Sequence, residues 1–123
     1  MENLRGKYAN IFFIGQNGGF DDVSDLIKQL NAMVSYSQSE RYIVISFHKT
    51  NNVITDIKRI KEMEDSLSQF FGNHFINLRH NLSADGEGEV EPRWLSSDNL
   101  HFNCNGYERI AQLVAEKMKE LGY

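Results

Sequence analysis

Asp98 and His101 stand three apart in Ser97-Asp98-Asn99-Leu100-His101-Phe102-Asn103, just ahead of an amphipathic closing stretch. An acid and an imidazole are the two parts of a general base. A short turn can seat the carboxylate against one ring nitrogen, fixing the tautomer and aiming the other nitrogen outward to take a proton. The bland reading is a capped helix start with two polar side chains facing water, Asn103 being a candidate cap. Spacing alone does not separate the two, because catalytic constellations are recognised by geometry.

The longer string D-x-x-H-x-N-x-x-G-Y, running from Asp98 to Tyr107, resembles the last block of the SGNH (GDSL-type) esterases and lipases. Ile11-Phe12-Phe13-Ile14-Gly15-Gln16-Asn17 is similar to that family's third block, a buried strand ending in G-x-N-D, with Gly18 here in the fourth place. The resemblance implies an acyl-ester hydrolase in which His101 is the base, Asp98 its orienting partner and Asn17 an oxyanion donor. Gly15 would line the substrate site. It also implies a three-layer α/β/α, flavodoxin-like parallel sheet truncated to about three strands, with residues 1–123 forming one domain, the carboxy-terminal part of the family's fold. A small acyl ester is the implied substrate, with no cofactor and no metal. The family's G-D-S block, which carries the nucleophilic serine, has no counterpart in the sequence, nor does the block with its oxyanion glycine. The chain alone is therefore expected to be close to inert. A non-catalytic remnant kept as a binding or assembly module, and an unrelated flavodoxin-like binding domain, are the competing readings.

These residues need elements to hold them. Residues 10–14 are a continuous apolar run closed by Gly15, the mark of a strand covered on both faces. Asp21 or Asp22 can cap a helix striped with Val23, Leu26, Ile27, Leu30, Met33 and Val34, and serine-rich 35–39 reads as loop. Residues 42–47 make a second buried strand. A helix begins at Asn51 or Asn52, carries Val53, Ile57, Ile60, Met63, Leu67 and Phe71 on one side, and stops at Gly72. Residues 74–78 make a short third strand, and strands alternating with helices imply parallel pairing. Residues 79–97 show no period. They hold the acidic run 85–89, read as a solvated tip rather than a calcium loop, and Trp94, which could wall a substrate cleft or anchor the core. The last helix presents Ile110, Leu113, Val114, Met118 and Leu121, with Ala111 and Ala115 permitting close approach to the sheet.

In the flavodoxin-like order that the resemblance implies, the run from Ile11 to Ile14 would be a bare apolar edge. A second copy or a complementing chain should cover it, so the chain is expected not to be a stable monomer.

Other chemistry fits less well. With a formal charge of −4 and no basic run, the chain has nothing to replace counterions on nucleic acid or to hold an anionic membrane. No stretch reaches the ~20 apolar residues of a membrane span. Without an apolar leader, the sequence as given reads as cytoplasmic. Gly15-Gln16-Asn17-Gly18-Gly19 matches no phosphate-binding motif, and Asp21 and Asp22 already supply negative charge beside it. His74, His80, His101 and Cys104 have no standard zinc spacing, and Cys104 reads as a small buried residue of the last helix. His48, at the end of the second strand, reads as exposed polar filler that could touch a substrate. Ser46, Ser83, Ser96 and Ser97 sit in no strand-to-helix elbow, so none is nominated as nucleophile.

Overall fold

The computed structural model describes residues 8–13, 22–49 and 57–123. Its strands β1 (Asn10–Phe12), β2 (Tyr42–Ile45) and β3 (Phe75–Ile76) form a parallel sheet in the order β1-β2-β3. Helices α1 (Val23–Ser37) and α2 (Ile57–Phe71) lie in the two connections, while α3 (Leu78–Leu82) and α4 (Cys104–Leu121) follow β3. Because side chains alternate along a strand, the uninterrupted apolar run of β2 serves two cores. Val44 turns toward Leu26 and Leu30 of α1 and Ile60, Met63 and Leu67 of α2. Ile43 and Ile45 turn toward Leu78, Leu82, Phe102, Ile110 and Leu113 on the other side. Both faces of β2 are thereby covered, as a parallel sheet requires. The mixed α/β class holds.

Several expected boundaries move. Asp22 does cap α1, its Oδ1 accepting from Asp25 N–H, but the helix runs on through the serine-rich segment to Ser37 and ends at Gln38 in left-handed conformation. The third strand is only Phe75–Ile76, because Asn77 leaves the ladder to cap α3 by accepting from His80 N–H. Residues 79–97 are not featureless: they include most of α3 and a 3-10 turn at Pro92–Trp94. β1 is not covered on both faces. Ile11 is 48% exposed; among the described residues β1 is the outer strand and pairs only with β2. Gly72 ends α2 as expected, at a φ of +56°. The expected start of that helix at Asn51 or Asn52 lies outside the described residues, as do Val53 and Asp21.

In α4, Ile110 and Leu113 are buried, but Ala111 and Ala115 face solvent. The residue that allows close approach is Gly106, where a Cβ would meet the Trp94 carbonyl oxygen at 2.2 Å. Cys104 is exposed, not buried. With the helix capped by Asn103 and Gly106, Ile110 and Leu113 turned inward, position 104 faces outward.

Candidate active site

The chain between the Pro92–Trp94 turn and α4 is a short closed loop. An antiparallel bridge joins Leu95 to Phe102, and inside it Ser96 N–H donates to the His101 carbonyl at 2.8 Å. Asn99 N–H donates to the Ser96 carbonyl at 3.0 Å, and Asn99 takes a φ of +57°, which asparagine tolerates better than most residues. That tight turn brings Asp98 back onto His101. Asp98 Oδ1 accepts from the backbone N–H groups of Leu100 (2.9 Å) and His101 (3.0 Å), while Oδ2 lies 2.6 Å from His101 Nδ1. The carboxylate accepts, so Nδ1 carries the proton of the neutral ring and Nε2 is the basic nitrogen. Both side chains are about half exposed, at 53% for His101 and 48% for Asp98. The hydrogen bond from His101, then the two amides, hold the Asp98 carboxyl down at about 2, against an ordinary value of 3.8.

The loop is anchored from three sides. Asn103 accepts from Gly106 N–H through Oδ1, and its Nδ2 donates to the carbonyls of Arg93 (2.8 Å) and Leu95 (3.1 Å). Phe102 is buried, with its ring 5.8 Å from that of Tyr107. From the tip of β2, His48 Nε2 donates to the Leu100 carbonyl at 2.8 Å, with its ring 5.1 Å from that of Phe102. His48 is therefore not exposed filler: it is 7% exposed, and burial pushes its pKa down against the opposing pull of the Leu100 bond. The second strand, expected to run to Phe47, ends at Ile45, but the chain stays buried through Ser46 and Phe47 and carries His48 inward; the apolar run before it was the available signal.

Of the expected site residues, Asp98 and His101 meet. Asn17 and Gly15 lie outside the described residues. Trp94 is half-buried beneath the Arg93 guanidinium, 4.3 Å from its ring centroid, and lines a groove with Asn105, Glu108, Arg109 and Gln112. Asp98 and His101 do not line that groove. A second cleft, ≈ 240 Å³, lies beside the loop between His48, Lys49, Glu89, Pro92, Leu95 and Asn99. Of the serines passed over as nucleophiles, Ser46, Ser83 and Ser96 make structural bonds, Ser83 Oγ donating to His80 O. Ser46 is buried, its Oγ donating to Ile76 O and accepting from Leu78 N–H, and Ser96 Oγ donates to Phe102 O. Asp85 in the acidic run accepts from Glu87 and Gly88 N–H. Among the described residues, no helix is long and apolar enough to cross a membrane. No protein-family model, curated protein or solved structure matches the chain.

Proposed function

We propose that this chain carries the acid–base half of an acyl-ester hydrolase of the SGNH type, on a flavodoxin-like sheet, with the serine nucleophile supplied by polypeptide outside this sequence. The observation that carries the reading is the 2.6 Å contact between Asp98 Oδ2 and His101 Nδ1, with Oδ1 saturated by two amides. A carboxylate so held fixes the ring's tautomer and stabilises the imidazolium formed when Nε2 takes a hydroxyl proton. The cleft to which the loop contributes Leu95 and Asn99, though not Asp98 or His101, is the space this reading gives to a small acyl ester. Asn17 is the oxyanion donor and Gly15 its neighbour in this reading, on the strength of the sequence resemblance.

The test has two parts. A fluorophosphonate probe should leave the isolated chain unlabelled; a labelled serine within residues 1–123 would sink the split arrangement. Joined to a strand–G-D-S–helix segment, the assembly should hydrolyse p-nitrophenyl acetate. His101→Ala should then lower kcat by about 10⁴-fold, as triad members act as a unit. A loss smaller than roughly tenfold would remove His101 from the base role.

A further inference from the structure

In the hydrolase reading the free side of β1 is where a complementing strand would pair; in the chain by itself that side is bare. Among the described residues no strand lies beyond it. Asn10 N–H donates inward to the Arg41 carbonyl at 2.9 Å, so strand alternation turns the N–H and C=O of Ile11 outward. Among the described residues, three of the five exposed large hydrophobic ones gather here: Tyr8 (59%), Ile11 (48%) and Tyr36 (74%). Between the strand and α1 runs a groove of ≈ 580 Å³, lined by Tyr8, Asn10 and Phe12 on one side and Ala32, Met33, Tyr36 and Ser37 on the other.

We propose that this face is a homodimer interface, in which β1 pairs antiparallel with the β1 of a second copy about a two-fold axis at Ile11. A lipid or small apolar ligand could fill the groove, but neither would satisfy the outward amide and carbonyl of Ile11. A second strand does. In an antiparallel pair, alternate facing residues exchange both N–H···O bonds, and with Ile11 opposite Ile11 the same two groups serve each copy. Such an interface uses one patch twice and closes on itself, leaving neither β1 edge free to propagate. Local charge does not oppose a copy and offers nothing to a basic partner. The chain carries −4, yet none of the seven described groove residues is charged, so two acidic molecules meet at a patch without like charges. A two-fold axis normal to the sheet keeps like faces together, bringing each α1 toward the partner's groove and each Ile11 side chain against its mate.

The inference concerns the chain by itself: Asp98 and His101 lie outside this face, and the complementing strand of the hydrolase reading would compete with a second copy for the same edge, so failure of either leaves the other standing. Sedimentation velocity on the full chain, over roughly a hundredfold range of concentration, should show a monomer–dimer equilibrium. Ile11→Lys and Ala32→Glu should each weaken it by roughly tenfold or more, through like charges facing across the axis. Both positions are exposed, so the fold, followed by circular dichroism, should survive. Phe70→Lys, at an exposed aromatic on α2, should leave the dimer unchanged. A monomer throughout, open-ended growth with concentration, or a dimer indifferent to both edge variants would overturn the proposal.

Discussion

Asp98 draws its behaviour from three donors, and that makes its titration the most direct reading of the loop. Its carboxyl ¹³C resonance should titrate near about 2 rather than near 3.8, and His101→Ala should move the midpoint upward. Because the folded value is the depressed one, this group's contribution to stability is present above 3.8 and lost as pH falls toward 2. A wild-type midpoint near 3.8 would mean that the turn does not hold in solution. His48 behaves in the opposite chemical sense. Its pKa is lowered, by burial first, with Lys49 and His101 adding to that direction and Leu100 and Glu89 opposing it. The unfolded chain therefore takes up a proton first, so stability falls as pH drops below the ordinary histidine value of 6.5. His48→Gln, which keeps a side-chain donor, should flatten urea midpoints between neutral and mildly acid pH; an unchanged slope would rule out His48 as its source. Asp98 and His101 were legible in the sequence because both partners lie in one turn. The role of His48 was not, since its acceptor is the carbonyl of Leu100, 52 positions away.

Among the elements, α4 and its entry fix where the loop points. The Cβ of Gly106→Ala would sit 2.2 Å from the Trp94 carbonyl oxygen, a backbone atom with no side-chain rotation to relieve the clash. Overpacking of this kind typically costs about 1–3 kcal/mol, more than the ~1 kcal/mol that alanine gains in helix propensity. Net destabilisation in a denaturant titration is the expected outcome, and a stabilised variant would show that the two segments can part freely. A second device joins α2 to α3. Arg79 Nε donates to both oxygens of buried Glu64 (3.0 and 2.9 Å), and its Nη1 donates to the carbonyls of Gly86 (3.1 Å) and Gly88 (2.7 Å). Arg79→Met should cost about 3–5 kcal/mol by leaving a buried carboxylate unpaired, and adding Glu64→Leu should restore much of it. If the double variant were as unstable as the single, the carbonyl bonds would be the larger contribution. Neither device was visible beforehand: Glu64 reads as one more charge on an amphipathic helix, and its burial follows from the docking of α3.

For the molecule as a whole, the contrast is between a central strand enclosed on both faces and an outer strand that is not. Ile43 and Val44 of β2 are fully buried, so its amides should exchange with solvent most slowly, at rates set by global unfolding. The Ile11 amide should exchange fast in dilute solution and more slowly at high concentration, where a partner strand covers it. Fast exchange at every concentration would contradict the edge pairing. The amino-acid order by itself determined the alternation of apolar runs and striped helices, a cap at Asp21 or Asp22, the stop at Gly72, and an acid three residues before an imidazole. These are local patterns, decided by periodicity and by groups within one turn of each other. Tertiary structure decided that Gly106, not Ala111 or Ala115, gives α4 its close approach, that Cys104 is exposed, and that His48 steadies the loop from beyond the end of β2. Those outcomes depend on contacts between residues far apart in the chain, to which spacing gives no access.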